Sequence, residues 1–214
     1  MDLLRILACG ILGYGIGSVS SGYLVGRLYR NVDLRTVGSG STGATNTFRT
    51  LGLGAALLVA VLDILKGAAS VWIATVLVEG PGDQRSIAAA LAAVAAVAGH
   101  CWPAFLEGRG GRGVATGFGA LLFIATPAWL GAVVAFMLAL ALTRMVSVSS
   151  LAAVAGAVIG YALFVETGYL QFHPAVLAFI LIAGAIVVFR HKANIDRIMR
   201  GQEPRLGQSA SQRT

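Results

Sequence analysis

Residues 37–52 read VGSGSTGATNTFRTLG and separate two long apolar segments of the chain. Gly38, Gly40 and Gly43 allow backbone conformations that are closed to other residues, and they let main-chain N–H groups approach a ligand closely. Short hydroxyl and amide side chains surround these glycines, and Arg49 adds a cation with forked donors. This composition is typical of a phosphate cradle. A flexible loop between two helices is an equally good interpretation of the stretch by itself.

The segments on either side of this stretch place the chain in a membrane. Of its 214 residues, 57% are hydrophobic and 12% are charged, whereas about a quarter of the residues of a soluble domain are charged. The apolar runs are continuous rather than alternating, so helices and not barrel strands satisfy the backbone in lipid. We therefore predict an all-α fold, a polytopic membrane helical bundle.

The charge distribution narrows the possible partners. The net charge is +7, and the basic residues cluster at the ends of apolar segments, where they meet anionic lipid or an anionic substrate. We expect the lipid bilayer as a partner and no nucleic acid.

Cys9 and Cys101 lie in or beside apolar segments, so both are expected to be small, buried hydrophobic residues. The residues around them do not have the spacing of metal ligands. We expect no metal and no cofactor.

Pro127 decides the predicted number of membrane spans. If residues 113–142 formed one span, three crossings would separate Arg112 from the basic tail that begins at Arg190, and the tail would lie outside. Splitting the segment at Pro127 gives four crossings, which returns the tail to the side of the other arginine-rich loops, as the cytoplasmic excess of basic residues requires. We predict seven transmembrane helices, with the N-terminus outside and the C-terminus inside.

The remaining predicted spans form one domain with a short tail. They cover residues 3–28, 53–78, 86–105, 146–165 and 175–189. Glycines in the first span favour close packing against other helices. We expect residues 1–200 to form a single transmembrane domain and residues 201–214 to form a polar, disordered tail.

A second polar landmark follows the third span. Residues 108–113 read GRGGRG, and four glycines with Arg109 and Arg112 favour an anion-binding nest over a helix. The GVATG that follows is expected to open a helix whose N-terminus points at the same site.

Two charged side chains lie inside the second span. Asp63 and Lys66 are three residues apart and therefore share a helical face, where either charge alone is costly. Pairing with each other and a role at the substrate remain equally good interpretations. His100, at the end of the third span, is more typical of a hydrogen-bonded helix-end residue than of a ligand or a catalytic base.

A third polar landmark opens the tail. Residues 190–197 read RHKANIDR, and His191 and Asn194 share one face if this segment is helical. His191 is the one neutral-pH base among the three landmarks, and a phosphate ligand is an equally good role for it. A basic helix end that merely obeys topology is the simpler alternative for the neighbouring cations.

The ordered set GSGSTGATN, DILKG, GHCWPAF, GRGGRGVAT and RHKANIDRI…GQE resembles the bacterial acyl-phosphate:glycerol-3-phosphate acyltransferase family, the integral membrane enzymes that make lysophosphatidic acid. The resemblance covers nearly the whole chain. It implies acyl transfer from acyl phosphate to the sn-1 hydroxyl of glycerol 3-phosphate, and it implies a structural role for Glu203. Ser41 replaces the usual Asn of the first block, and arginines replace the usual lysines of the second.

The resemblance and the residues together define a predicted site on the cytoplasmic face of the bacterial inner membrane. The catalytic residues expected there are Ser39, Arg49, His191 and Asn194. The substrate-binding residues expected there are Gly38, Gly40, Gly43, Thr45, Asn46, Lys66, Arg109, Gly110, Gly111, Arg112, Gly113 and Ser149.

The alternative function is a small membrane transporter or anion channel, because polar glycine breaks in a helical bundle also mark transport sites. Transport predicts polar breaks at mid-membrane and internal repeats. The three landmarks instead share one predicted face, and the two halves of the sequence show no repeat.

Overall fold

The computed structural model describes residues 2–78 and 82–207, and in these ranges the regular elements are all helical. The α-helices are, in chain order, α1 (Asp2–Ser18), α2 (Ser21–Arg30), α3 (Ala44–Leu51), α4 (Leu53–Leu77), α5 (Gly82–Cys101), α6 (Val114–Ile124), α7 (Thr126–Thr143), α8 (Val146–Glu166), α9 (Pro174–Arg190) and α10 (Lys192–Met199). The predicted all-α membrane bundle is confirmed.

Within the described ranges, fewer helices are long enough to cross a membrane than the seven that the sequence predicts. Within the described ranges, the segments long and apolar enough to cross a membrane are Leu3–Arg30, Leu53–Leu77, Gly82–Leu106, Thr126–Thr143 and Val146–Glu166. The pair α9 and α10, bent by 60°, makes a possible sixth. Helix α6 is apolar but has 11 residues, which is about 16 Å at 1.5 Å per residue and about half of a typical hydrocarbon core. Seven spans and their orientation therefore remain a prediction.

The predicted break near Pro127 is present. Helices α6 and α7 are separated at Ala125, and Pro127 lies in the first turn of α7, where its missing N–H removes no helical hydrogen bond. The Ala125 N–H still donates to Leu121 O at 2.8 Å, and Thr126 Oγ1 donates to Leu122 O at 3.0 Å. These bonds satisfy backbone carbonyls next to the break, which lipid could not do.

The first predicted span is two helices rather than one. Helices α1 and α2 meet at Val19, whose carbonyl accepts a hydrogen bond from Lys66 Nζ at 2.9 Å. Ser21 Oγ at the start of α2 donates to Asp63 Oδ1 at 2.9 Å. Polar groups of α4 thus replace the hydrogen bonds that a continuous helix would make, which is the physical reason the break is tolerated in an apolar segment.

Small residues set the packing of the bundle. Gly13 and Gly17 of α1 lie directly on the backbone of Ala92 and Ala96 of α5, where a Cβ would collide. In the same way, Gly67 of α4 packs on the backbone of α6. Close helix approach through small residues is the usual means of association in lipid, and the close packing predicted for the first span is confirmed.

The first half of the predicted polar tail is packed against the protein. Glu203 is buried, with 6% of its surface exposed, and the Leu206 N–H donates to Arg144 O at 2.7 Å. Residues 201–207 therefore differ from the expected disordered tail, because a buried carboxylate ties them to α10. Residues 208–214 of the predicted tail lie outside the described residues.

Candidate active site

A cavity of about 460 Å³ has walls of two chemical kinds. One kind is polar or glycine and consists of Ser41, Gly43, Thr45, Asn46, Asp63, His100, Arg112, Gly113, Ser150 and His191. The other is apolar and comes mainly from α6 and α7, with Phe118, Leu122, Trp129, Val133, Phe136 and Met137 among its members. Residues from all three polar landmarks of the sequence therefore meet at one cavity.

Asn46 shapes the glycine loop. Its Oδ1 accepts the Ser39 N–H at 2.9 Å, and its Nδ2 lies 3.1, 3.1 and 2.9 Å from the carbonyls of Leu34, Val37 and Ser41. Asn46 is buried, so these bonds are made away from bulk water, where leaving them unmade is costly. Its polar atoms hold the loop together, so a role in binding substrate is indirect.

The loop conformation requires its first two glycines. Gly38 and Gly40 have φ of 61° and 70°, values that side chains disfavour. A Cβ at Gly38 would also collide with Asn46 Oδ1. The loop ends at Gly43, where α3 begins, and Gly43 and Thr45 line the cavity. The positive end of the α3 dipole therefore lies at the cavity wall.

Arg190 fastens the second glycine loop. Its Nε donates to Gly111 O at 3.1 Å and its Nη2 to Gly110 O at 3.2 Å, while the guanidinium lies 5.6 Å from the Trp102 ring centroid. The Gly111 N–H donates to His100 O at 3.0 Å, so it is not free for a phosphate. These two glycines differ from the predicted amide nest: they are needed because a Cβ at either position would collide with His100.

Arg112 is the cation of this loop that faces the cavity. Burial lowers its pKa to about 10, Glu203 opposes that shift, and the neighbouring Arg197, Arg49 and Arg190 lower the pKa further. The arginine is still charged at neutral pH. A partly buried cation surrounded by other cations is the environment that an anionic ligand stabilises.

His191 presents one nitrogen beyond its own helix. Its Nδ1 lies 2.7 Å from Val187 O, and a carbonyl can only accept, so Nδ1 carries the proton. Nε2 is the remaining nitrogen of a ring that is buried and lines the cavity.

Asn194 does not line the cavity but anchors α10. Its Nδ2 donates to Glu203 Oε1 at 2.6 Å, and Arg197 Nε donates to Glu203 Oε2 at 2.8 Å. Burial opposes ionisation of Glu203, but the hydrogen bonds from Asn194 and Arg197 contribute to outweighing it, and the pKa of this carboxyl is lowered. The geometry agrees with the structural role that the family resemblance implies for Glu203.

Asp63 and His100 line the cavity although neither was among the predicted site residues. Lys66 Nζ lies 2.9 Å from Asp63 Oδ1, and His100 Nδ1 lies 3.5 Å from the same oxygen. The pairing interpretation of Asp63 and Lys66 is therefore the one the geometry supports, and Lys66 is not among the lining residues. The signal that could have found Asp63 was present in the sequence, since an ionisable residue inside a span marks a functional site by default.

The other predicted residues divide into three groups. Gly43, Thr45, Asn46, Arg112, Gly113 and His191 line the cavity. Ser39, Arg49 and Arg109 are exposed. Ser149 is buried and donates to Met145 O at 2.9 Å, so the cavity-lining hydroxyl of α8 is Ser150 instead.

Within the described residues, no group of three or more His, Cys, Asp or Glu could hold a metal ion.

Fold and site together define a class of protein. A helical membrane bundle whose cavity joins cationic, hydrogen-bonding walls to an apolar wall suits a molecule that has an anionic head and a hydrocarbon chain. The class is an integral membrane protein with a binding site for an amphiphilic substrate whose anionic head resembles a phosphate group.

Comparisons with known proteins give the family. The family model described as glycerol-3-phosphate acyltransferase matches residues 7–201. A glycerol-3-phosphate acyltransferase of Synechococcus elongatus is 43% identical over 212 residues, covering 98% of each chain, and one of Gloeobacter violaceus is 40% identical over 208 residues, covering 96% of this chain and 98% of the relative. The chain belongs to the glycerol-3-phosphate acyltransferase family.

Solved structures agree with this assignment. The crystal structure of PlsY (YgiH), an integral membrane glycerol 3-phosphate acyltransferase, in its glycerol 3-phosphate form is similar with a TM-score of 0.82 and 33% identity, over 94% of this chain and 96% of that one. Its lysophosphatidic acid form gives a TM-score of 0.80 and 31% identity, over 94% and 95% of the two chains.

Proposed function

We propose that this protein transfers a fatty acyl group from an acyl phosphate to the sn-1 hydroxyl of glycerol 3-phosphate, giving lysophosphatidic acid and phosphate. The observation that carries the proposal is the cavity with polar, cationic and apolar walls, in a chain of the glycerol-3-phosphate acyltransferase family. An acyl chain and two phosphate-bearing groups need these surfaces within one site.

Acyl transfer from an acyl phosphate requires little covalent catalysis by the protein. An acyl phosphate is a mixed anhydride with a good leaving group, so the main requirements are to hold the hydroxyl near the acyl carbonyl and to neutralise charge on two phosphates. Arg112 and Arg49, which interact electrostatically, are the donors we assign to phosphate. The start of α3, at Gly43, adds its helix dipole to the same task.

Ser39 and Arg109 are assigned more peripheral roles. Both are exposed, so they can reach a substrate only from the open side of the site. Ser39 is held through its backbone by Asn46, at 2.9 Å, which leaves its hydroxyl to donate to an incoming phosphate. Arg109 attracts the substrate from solution.

The apolar wall is assigned to the acyl chain. Phe118, Trp129 and Phe136 line it, and burying an acyl chain against them removes apolar surface from water.

We assign the phosphate-binding loops to the cytoplasmic face of the bacterial inner membrane, because cytoplasmic loops carry an excess of arginine and lysine.

Product analysis tests the proposal. The purified protein in detergent is given palmitoyl phosphate and radiolabelled glycerol 3-phosphate, and lipid products are separated by chromatography. Labelled lysophosphatidic acid is expected, with equimolar release of phosphate. A parallel reaction with palmitoyl-CoA controls for the donor. Product from the CoA ester but none from the acyl phosphate would overturn the proposed donor, and no product from either would overturn acyl transfer itself.

A further inference from the structure

A second, smaller cavity of about 60 Å³ lies beside the larger one, and apolar groups make up nearly all of its wall. Three helices supply most of this wall, through residues within 114–121 of α6, 150–157 of α8 and 179–187 of α9. At 1.5 Å per residue, each of these runs covers about 10–12 Å. A volume of about 60 Å³ spread along that length is a narrow slot, with the shape of an alkyl chain and not of a ring.

The walls of the slot suit hydrocarbon better than water. Besides large apolar side chains they carry small residues, namely Gly117, Ala132, Ala153, Ala157, Ala183 and Gly184. A Cβ at Gly117 would meet no atom nearer than Val97 Cγ2, at 3.9 Å, so helix packing does not require glycine at that position. Water finds few hydrogen-bonding partners against such walls, whereas an alkyl chain would gain dispersion contacts on all sides.

Phe118 separates the slot from the larger cavity. Val114, Phe118 and Ser150 line both spaces. The ring of Phe118 meets that of Phe136 edge-on, with centroids 5.9 Å apart and an interplanar angle of 89°, and of the two spaces Phe136 lines the larger. The acyl-chain wall proposed above and the slot are therefore two hydrocarbon-lined channels on two sides of one aromatic residue.

Both channels begin beside the cationic part of the site. Val114, which lines both, follows Arg112 of the larger cavity by two positions. At the same end of the slot lies Val187, whose carbonyl is 2.7 Å from Nδ1 of His191. A phosphate bound at Arg112 would thus have an apolar channel on each side of Phe118.

We propose that this site binds a lipid with a phosphate monoester head and two hydrocarbon chains, one chain in each channel, and that this lipid inhibits the enzyme. Phosphatidic acid is the lipid of this class. Glycerol 3-phosphate has no hydrocarbon chain and lysophosphatidic acid has one, so neither fills both channels. The inference rests on the proposed phosphate site, since the head of the lipid takes the position of the substrate phosphate. Acylation of lysophosphatidic acid at its remaining hydroxyl gives this lipid, so the inhibitor lies one acyl transfer beyond the enzyme's own product.

The charge of the site favours a phosphate monoester over the phosphodiester heads of other membrane lipids. Arg49, Arg190 and Arg197 act electrostatically on Arg112, and a dianion offsets the repulsion among these cations more than a monoanion does. A phosphate monoester can carry two negative charges, whereas a phosphodiester carries one. Its free terminal oxygens also match the forked donors of arginine.

Thermal unfolding of the wild-type protein in detergent, titrated with lipids at matched mole fractions in the micelles, tests the two-channel site. We expect dioleoyl phosphatidic acid to bind at least about tenfold more tightly than oleoyl lysophosphatidic acid, because the second chain buries further methylene groups. Dioleoyl phosphatidylglycerol, which has two chains but a phosphodiester head, should stabilise the protein less. Equal affinities for the two-chain and one-chain phosphates would overturn the inference, and so would equal affinities for phosphatidic acid and phosphatidylglycerol.

Ala183→Leu fills the slot from α9 and isolates its contribution. The affinity for phosphatidic acid should fall at least about tenfold, while that for lysophosphatidic acid stays within about threefold. Ala185→Leu adds the same side chain at an exposed position of the same helix and should bind both lipids as wild type does. Unchanged binding of phosphatidic acid by folded Ala183→Leu would overturn the inference. Ala157→Leu fills the slot from α8 if Ala183→Leu does not fold, and the wild-type comparison decides if neither folds.

Initial rates connect binding with inhibition. Phosphatidic acid should raise KM for glycerol 3-phosphate in the wild-type protein with little change in kcat, and Ala183→Leu should be less sensitive to it. Acyl transfer that phosphatidic acid does not slow would overturn the proposed inhibition. Wild-type protein that binds phosphatidic acid but makes no lysophosphatidic acid would instead overturn the proposed function, because the unfolding measurements do not depend on catalysis.

Discussion

Arg190 Nε donates to the Gly111 carbonyl at 3.1 Å across 79 positions of sequence. A second bond from the same guanidinium reaches Gly110 O at 3.2 Å. The end of α9 thereby holds the glycine loop that carries Arg112, so that the second and third polar landmarks form one rigid unit beside the cavity.

Arg190→Lys should weaken substrate binding although it keeps the charge. Lysine cannot make two directed bonds to adjacent carbonyls while stacking on Trp102, and losing about 1.4 kcal/mol of loop stabilisation corresponds to a tenfold change. We expect KM for glycerol 3-phosphate to rise about tenfold, measured by initial rates. Arg200→Lys, an exposed arginine of the same region, is the control, and equal KM values in both variants would argue against the clamp.

Asn46→Asp should disrupt the first glycine loop. The change is isosteric but replaces Nδ2, which faces three carbonyls, with an acceptor. Unpaired acceptors buried against one another cost about 1–3 kcal/mol or more. We expect a lower thermal unfolding temperature and loss of most activity. Gln202→Glu makes the same change of charge at an exposed position, and it should behave as wild type. An Asn46→Asp protein of normal stability would show that the loop does not depend on these bonds.

Arg49→Lys should lose most activity. Arg49 is exposed and acts electrostatically on Arg112, and its proposed role is a two-point contact to phosphate that lysine cannot make. The kcat/KM for glycerol 3-phosphate is expected to fall at least tenfold. Arg30→Lys, an exposed arginine at the end of α2, serves as the control. Near-normal turnover in folded Arg49→Lys would remove this residue from the site.

Glu203 should make the C-terminal segment sensitive to acid. Its pKa in the folded protein is lowered from 4.5, so its contribution to stability is present above that value and is lost as the pH falls through the lower, folded pKa. Limited proteolysis after Arg200 should therefore accelerate on acidification below about pH 4.5. In Glu203→Gln the segment should be more labile at neutral pH and should lose this pH dependence. An unchanged pH profile in the variant would assign the acid sensitivity to other groups.

Cysteine labelling tests the proposed orientation. The native Cys9 and Cys101 are both buried, so the wild-type background is low. Thr167→Cys lies in the exposed turn after α8 and Gln202→Cys in the exposed segment after α10. A membrane-impermeant maleimide added to intact cells should label position 167 and leave position 202 unlabelled until the membrane is opened. The opposite pattern would invert the topology.

The helices and the meeting of the three landmarks could be predicted from the sequence. Continuous apolar runs mark spans, and a proline inside one of them marks a break, because both signals are local. The break between α1 and α2 was missed because its cause, the bond from Lys66 to Val19 O, comes from another helix.

The predicted site was less complete for the same physical reason. Asn46, Gly110 and Gly111 are residue types that often contact phosphate. In the structure Asn46 instead bonds to the backbone of its own loop, and both glycines pack against His100. Whether a polar group faces substrate or backbone depends on residues far away in sequence. The pairing of Asp63 with His100, which joins two helices, has no local pattern at all.

Burial lowers the pKa of Arg112 to about 10, and repulsion from Arg197, Arg49 and Arg190 adds to this shift. A phosphate dianion bound among these cations would relieve that repulsion. Because Arg112 stays protonated at neutral pH, such relief requires no proton uptake. Inorganic phosphate released by the proposed reaction carries the same charge as the phosphate group of glycerol 3-phosphate. The cations that bind the substrate should therefore also bind this product, and inorganic phosphate should inhibit the reaction.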